Sequence, residues 1–253
     1  MSEKHDYIAV FDSGVGGVSV LRELLRLMPH ERYLYFGDSA NAPYGVRTTE
    51  EVRDLTLAAA ERMMARGCKA LVVACNTATA AAIIQLRAMY PEKIIIGIEP
   101  ALKVAADHFP GGEVGVMATP VTLREEKFDV LLHRFTSSCT VHKIPAPGLV
   151  ELVERGKAIS AETYALLEPL LLPYHDKLCA VVLGCTHYPF AAPVIQALLG
   201  ENTALLDGGE GTARQTRRRL EEEGLLWNGP GELVIENSAN SEEMIALCRE
   251  LLK

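Results

Sequence analysis

Two cysteines stand directly behind apolar segments of strand type, and polar residues follow each of them at once. Cys75 lies in VVACNT (72–77), and Cys185 lies in VVLGCTH (181–187). A helix that begins at such a point supplies backbone N–H groups and a dipole that favour a thiolate. A single cysteine is more often a small buried apolar residue, and we interpret the cysteines at 68, 139, 179 and 248 in that way.

A pair of thiols can perform a specific reaction if they stand on opposite sides of one small ligand. One thiol removes a proton while the other delivers a proton to the opposite face, which inverts a stereocentre. The reference pKa of a thiol, about 8.5, keeps both protonation states within reach near neutrality. No CxxC pair occurs among the six cysteines, which disfavours a zinc site and a redox disulfide.

The segment DSGVGG (12–17) is the next candidate for chemistry. Its glycines allow a tight turn from strand to helix and a close backbone approach to an anion. The GxGG spacing does not match the dinucleotide-binding GxGxxG, and Asp12 would bring negative charge to the phosphates. Two interpretations stay open. Ser13 and the amides could bind a carboxylate while Asp12 meets a cation or a catalytic proton, or the segment could be a purely structural turn.

Alternating elements must position these residues. Short apolar runs alternate with longer segments of helical period, which predicts an α/β fold with mostly parallel sheets flanked by helices. Thr48 and Glu51 form a possible capping box, another helix is predicted over 17–28, and the last helix is predicted to begin near Ser241. The predicted strands are 7–11, 33–37, 70–74, 94–98, 113–117, 140–144, 180–184, 203–206 and 232–236.

A weak internal echo relates the two halves of the chain. IAVFDSG pairs with EVGVMATP, and the two cysteine segments lie about 110 residues apart. We therefore predict two similar lobes related by a pseudo-twofold axis, with the active site between them. The first lobe comprises 1–98 and 210–253, and the second comprises 99–209.

Length and charge restrict the class of protein. The 253 residues carry a formal net charge of −8, which argues against a broad surface for nucleic acid or anionic lipid. The N-terminal MSEKHDYIAVF has neither a signal-peptide core nor an apolar stretch of membrane-spanning length. These features predict a soluble cytoplasmic protein with no membrane and no nucleic-acid partner.

Six motifs, in order, resemble those of glutamate racemases, within the aspartate/glutamate racemase superfamily. They are DSGVGG (12–17), APYG (42–45), ACNTA (74–78), ATPVT (118–122), LVE (152–154) and LGCTHYP (183–189). The resemblance implies a cofactor-independent isomerase that supplies D-glutamate for bacterial peptidoglycan and maintains cell shape. It also implies a homodimer, glutamate as the small-molecule substrate, and no metal.

The resemblance further implies roles for individual residues. Cys75 is expected to act on D-glutamate and Cys185 on L-glutamate, and the residues implied to assist catalysis are Asp12, His187 and Glu154. The residues implied to contact substrate are Asp12, Ser13, Pro43, Tyr44, Gly45, Asn76, Thr77, Thr122, Thr186 and His187.

Some positions depart from the pattern of these enzymes. Ala146 and Glu151 replace a cysteine and a proline in CPxxVPxVE, Glu125 takes the serine position of TxxTxxS, and Asp207 begins DGGEGTA. These changes leave both cysteines in place. Two alternatives stay open at this point: a racemase of the same superfamily acting on aspartate or a related amino acid, and a non-catalytic protein that binds a small amino acid.

Overall fold

The computed structural model describes residues 3–124 and 138–253. The chain divides into two compact units. The first unit comprises Met1–Glu99 and Gly209–Lys253, and the second unit comprises Pro100–Gly208. Glu125, one of the departures noted above, lies outside the described residues.

The first unit contains a five-stranded sheet in the order β4-β3-β1-β2-β9. Every neighbouring pair is parallel. Its strands are β1 (Tyr7–Asp12), β2 (Arg32–Gly37), β3 (Cys68–Val73), β4 (Ile94–Gly97) and β9 (Glu232–Asn237). Its helices are α1 (Val18–Leu27), α2 (Thr49–Met64), α3 (Asn76–Met89), α9 (Gly209–Glu222) and α10 (Glu242–Leu251).

The second unit contains a four-stranded parallel sheet in the order β6-β5-β7-β8. Its strands are β5 (Glu113–Ala118), β6 (Thr140–Pro145), β7 (Ala180–Leu183) and β8 (Ala204–Leu206). Its described helices are α4 (Leu102–His108), α5 (Pro120–Arg124), α6 (Leu149–Glu154), α7 (Ala161–Leu171) and α8 (Ala192–Leu199). In the described part of the chain, no helix combines the length and the apolar character needed to cross a bilayer.

The two sheets repeat one strand order. Read from one edge, β8-β7-β5-β6 of the second unit corresponds to β4-β3-β1-β2 of the first, and β9 extends the first sheet by one strand. This repetition accounts for the weak sequence echo. The prediction of two parallel sheets flanked by helices is confirmed, and each of the predicted strands is present within two residues of its expected bounds.

Burial explains why these segments form strands. Ile8, Ala9 and Val10 in β1 are fully buried, as is the whole of β3. A parallel strand covered by helices on both faces is apolar along most of its length, which is why these runs do not alternate with polar residues; the charged Lys69 in β3 is the exception, and its charge is paired. The helices supply the covering apolar faces, and Val52 and Met63 of α2 pack into the same core as Leu71 of β3.

Local signals set the predicted helix ends. Thr48 accepts a hydrogen bond from the Glu51 amide at 3.2 Å, and Glu51 accepts one from the Thr48 amide at 2.9 Å, so the capping box is confirmed. Ser241 caps α10 by accepting from the Met244 amide. The helix predicted over 17–28 is α1, Val18–Leu27.

A buried ion pair fastens the returning C-terminal segment to the first sheet. Lys69 Nζ lies 2.6 Å from Glu31 Oε2, and both side chains are almost fully buried. Lys69 also donates to the Lys4 and Leu225 carbonyls, and Glu31 accepts from the Trp227 amide. Burial lowers the pKa of Lys69, while the hydrogen bond and charge of Glu31 oppose that shift. The connection between α9 and β9 is thereby tied to β3 and to the start of β2.

Replacing Lys69 tests the importance of this pair. Lys69→Met leaves the buried Glu31 carboxylate without its cation, so we expect the free energy of unfolding to fall by about 3–5 kcal/mol in urea denaturation. Lys157→Met is the matched control, because Lys157 pairs with an exposed Glu162 and the change should stay within about 1 kcal/mol. Equal stabilities of the two variants would contradict a structural role for the buried pair.

Candidate active site

Cys75 and Cys185 occupy equivalent places in the two units. Each follows its strand by two residues, Cys75 after β3 and Cys185 after β7, and these strands hold the same position in the two strand orders. Both cysteines are buried. In parallel sheets, ligands bind beyond the carboxyl ends of the strands, which is where both thiols lie. The groups around them are called here the Cys75 cluster (Asp12, Ser13, Asp38, Tyr44, Cys75, Asn76) and the Cys185 cluster (Glu154, Cys185, Thr186, His187).

Cys75 is the N-cap residue of α3. Its sulfur accepts a hydrogen bond from the Ala78 amide at 3.4 Å, and its thiol donates to Ser13 Oγ at 3.5 Å. Backbone N–H groups and the helix dipole favour anionic sulfur at this place. Cys75 can therefore exist as a thiol that donates to Ser13 or as a thiolate stabilised by the helix.

The glycine turn brings Asp12 and Ser13 to the Cys75 cluster because β1 and β3 are neighbours in the sheet. Asp12 is fully buried, and its Oδ1 accepts from the Gly14 amide at 3.0 Å. Residue 17 must be glycine, since a Cβ there would lie 2.5 Å from the Asp12 Cβ. The tight turn predicted from DSGVGG thus holds the Asp12 carboxylate close to the backbone.

Asn76 carries an acceptor that awaits a donor. Its Oδ1 is buried and has no hydrogen-bond partner among the described residues. A buried polar atom without a partner costs about 1–3 kcal/mol. The neighbouring residue is Cys75, so a ligand N–H group bound beside the thiol would satisfy this atom.

The APYG loop forms one side of the Cys75 cluster. Tyr44 is fully buried against Phe11, and its hydroxyl donates to Asp38 Oδ2 at 2.6 Å. Burial and the Asp38 carboxylate raise the pKa of Tyr44, so the hydroxyl stays protonated as a donor. Pro43 and Gly45 flank it, with Gly45 buried and Pro43 half-buried.

Asp38 was not predicted from the sequence, although its position directly after a strand could have identified it. It follows β2 directly, just as Asp12 ends β1, and it is buried. A carboxylate at the carboxyl end of a buried parallel strand lies where ligands gather. That rule, applied to β2, would have selected Asp38.

The Cys185 cluster is a hydrogen-bonded chain. Cys185 Sγ lies 3.7 Å from His187 Nδ1, and His187 Nε2 lies 2.7 Å from Glu154 Oε1. Thr186 Oγ1 also approaches Nδ1, at 3.5 Å. The structure thus brings together Glu154 of α6 and the two residues that follow Cys185, as the sequence motifs led us to expect.

His187 is poised to carry positive charge. Burial opposes protonation, but hydrogen bonds to Cys185 and Glu154, together with their negative charges, outweigh it and raise the pKa of His187 well above its usual value. An imidazolium placed between a carboxylate and a sulfur can donate to the sulfur and stabilise a thiolate. Cys185 and His187 can therefore exchange a proton while Glu154 holds the ring.

Two threonines lie at the carboxyl end of β5, the strand next to β7. Thr122 Oγ1 is 2.9 Å from Thr119 Oγ1, and both residues are buried. Thr122 was predicted to contact substrate from its motif, whereas Thr119 was not singled out. The hydroxyl pair lies at the same edge of this sheet as Cys185, because the threonines and the cysteine follow the carboxyl ends of adjacent parallel strands.

The departures near α6 keep the local packing. Ala146 is buried, and its carbonyl accepts from the Tyr188 hydroxyl at 3.2 Å. Glu151 stands in the first turn of α6, half-buried. Within residues 3–124 and 138–253, no group of three or more His, Cys, Asp or Glu side chains is arranged to hold a metal ion.

The chain is similar to known proteins over most of its length. The sequence profile of the family described as Asp/Glu/Hydantoin racemase matches residues 9–216. A glutamate racemase from Clostridium kluyveri is 48% identical over 250 residues, which cover 97% of each chain.

Solved structures show the same likeness. A glutamate racemase isoform from Bacillus anthracis superposes with a TM-score of 0.88 at 31% identity, covering 99% of this chain and 95% of that one. The Escherichia coli glutamate racemase, solved with L-glutamate and an activator, gives a TM-score of 0.86 at 29% identity, covering 97% and 95%.

Glu154→Gln tests the charge state of His187. Removing the carboxylate takes away one of the interactions that raise the His187 pKa, so its midpoint should move down toward the ordinary value of about 6.5. The measurement is an NMR titration of the imidazole in wild type and variant.

The sign of the linked stability follows from a raised pKa. The stability that His187 contributes through its raised pKa is fully present below the unfolded-state pKa of the imidazole and is lost as pH rises through its folded-state pKa. Glu154→Gln should lower the folded-state pKa, so this stability should be lost at a lower pH than in wild type. Glu113→Gln is the control, because Glu113 contacts His142 instead. An unchanged His187 midpoint in Glu154→Gln would show that Glu154 does not set the charge.

Proposed function

Because the chain belongs to the Asp/Glu/Hydantoin racemase family, we propose that it interconverts L- and D-glutamate by two-base catalysis with Cys75 and Cys185. Membership makes it a racemase, which is an isomerase. The main support for the proposal is that the two cysteines occupy equivalent places. Each lies just beyond the carboxyl end of the corresponding strand, in two units that share one strand order.

The proposed reaction moves one proton off the α-carbon and another onto it. The Cys75 thiolate removes the α-proton of D-glutamate, and the Cys185 thiol donates its proton to the opposite face, which yields L-glutamate. In the reverse direction, the Cys185 thiolate removes the proton and Cys75 donates. Each turnover leaves the two sulfurs with exchanged protonation states.

Neighbouring groups prepare each sulfur. His187, held by Glu154 at 2.7 Å, is the proton partner of Cys185. In the Cys75 cluster, Asp12 and Ser13 assist Cys75, whose thiol already donates to Ser13. We assign Asp12 and His187 to proton movement, and Glu154 to holding His187.

The substrate is proposed to bind through short polar groups. Hydroxyls and backbone N–H groups hold the carboxylates, and donors on the α-carboxylate stabilise negative charge as the carbanion develops. Asn76 Oδ1, a buried acceptor with no partner in the described part of the chain, receives an N–H of the substrate ammonium. The residues assigned to these contacts are Asp12, Ser13, Pro43, Tyr44, Gly45, Asn76, Thr77, Thr122, Thr186 and His187.

Glutamate is proposed as the substrate because the similar proteins carry that name over nearly the whole chain. The further role is the supply of D-glutamate for peptidoglycan in the cytoplasm, which the motif resemblance supports. Catalysis is proposed to need neither metal nor cofactor, since two thiols already supply the base and the acid.

The test combines solvent labelling with single cysteine changes. In D₂O, either enantiomer of glutamate should yield product of the opposite hand that carries deuterium from its first appearance, because the donated proton comes from a different thiol. Cys75→Ala and Cys185→Ala should each lower kcat by about 10²–10⁴-fold or more. Cys179→Ala, at a cysteine outside both clusters, should keep full activity. Retained racemisation in either of the first two variants would falsify the role of that sulfur.

We also propose a homodimer, supported by the motif resemblance, and we test α3 as its contact because two of its apolar side chains stand exposed. Ile84 is 72% exposed and Met89 48%. Light scattering should give twice the 27.6 kDa chain mass, and Ile84→Glu should halve it. A wild-type mass of one chain would refute the dimer, and an unchanged dimer in Ile84→Glu would exclude α3 as its contact.

A further inference from the structure

The loop that carries the proposed substrate contacts Pro43, Tyr44 and Gly45 is held in place by a buried carboxylate. Asp38 stands at its start, 4% exposed, and its backbone amide donates to the Asp12 carbonyl at 2.9 Å. The loop then returns to the core at Tyr44, six residues later. This is the stretch in which a small shift of the backbone would alter the proposed substrate contacts.

Both oxygens of Asp38 are occupied by groups of the loop itself. Tyr44 donates its hydroxyl to Oδ2 at 2.6 Å. Asn41 Nδ2 lies 3.0 Å from Oδ1 and 3.1 Å from Oδ2. A carboxylate that already accepts these hydrogen bonds is poorly placed to take a proton from a substrate. Asp38 thereby links the middle of the loop, at Asn41, to its end, at Tyr44.

Because the Tyr44 hydroxyl donates its proton to Asp38, it cannot serve as a hydrogen-bond donor to a substrate. We propose that Asp38 is a positioning residue for the racemase reaction, which fixes the backbone of Tyr44 and Gly45 through the Tyr44 hydroxyl. This inference rests on the proposed function, since it assumes that the loop contacts glutamate.

The outer half of the loop, Ser39 and Ala40, is held by separate hydrogen bonds to the carboxyl end of β9. Asn237 donates from Nδ2 to Ser39 Oγ at 3.0 Å, and Ser238 Oγ accepts from the Ala40 amide at 3.0 Å. Breaking the Asp38–Tyr44 contact should therefore release the inner half of the loop while the outer half stays attached. Variants of this contact are expected to fold.

The experiment measures kcat and KM for both glutamate enantiomers in Tyr44→Phe and Asp38→Asn. Tyr44→Phe removes a single oxygen. Asp38→Asn replaces one acceptor oxygen by an NH2 group, so the side chain can no longer accept hydrogen bonds from Tyr44 and Asn41 on separate oxygens. We expect KM to rise roughly 3- to 10-fold in both directions, with kcat changed less than about threefold, because binding and not proton transfer is affected.

Tyr33→Phe is the matched control. Tyr33 is also fully buried, and its hydroxyl donates to the Leu24 and Met28 carbonyls, away from the loop. This change should lower the melting temperature as Tyr44→Phe does, yet leave KM unchanged. If KM responded only to a general loss of packing, Tyr33→Phe and Tyr44→Phe would have the same effect on KM.

The outcomes separate this inference from the proposed function. A wild-type protein that does not racemise glutamate refutes the proposed function itself. With an active wild type, unchanged KM in folded Tyr44→Phe overturns the positioning role. A large fall in kcat at unchanged KM in Asp38→Asn overturns it too, because Asp38 would then act in proton transfer.

Discussion

The constraint on which this molecule depends is parallel strand pairing. Parallel neighbours bring their carboxyl ends to one edge of a sheet, so residues far apart in sequence meet there. In the first unit this edge gathers Asp12, which ends β1, and Asp38 and Cys75, which follow β2 and β3. In the second unit it gathers Thr119 and Cys185, which follow β5 and β7. Burial of the strands on both faces leaves that edge as the place for polar chemistry.

The two clusters solve one chemical problem by different means. Cys75 has a helix N-terminus and the Ser13 hydroxyl beside it, whereas Cys185 has a buried imidazole braced by a carboxylate. We propose that helix dipoles favour a thiolate at Cys75 and that the charge of His187 favours one at Cys185. A racemase must accept substrate of either hand, so we interpret the asymmetry as two routes to the same pair of protonation states.

Much of the fold could be predicted from sequence because its signals are local. An apolar run bounded by polar turns is enough to identify a buried parallel strand, and Thr48 with Glu51 is enough to start α2. The cysteines were found because each ends such a run. What could not be read from sequence are contacts between elements brought together only by strand order. The pairing of Lys69 with Glu31 spans 38 residues, and the hold of Asn237 on Ser39 spans 198. The position of Asp38 directly after β2 was readable from sequence, but its contact with Tyr44 was not, because the sequence does not specify the path of the loop between them.

The central claim is tested most directly by optical rotation. Purified, metal-stripped protein with a thiol reductant and no added cofactor is given L-glutamate and D-glutamate in separate cuvettes, and then each enantiomer of aspartate. Rotation should decay to zero from both glutamates and stay constant for both aspartates. Constant rotation with glutamate, under conditions where the ligand measurably binds, would contradict two-thiol racemisation, and decay with aspartate alone would contradict the choice of substrate.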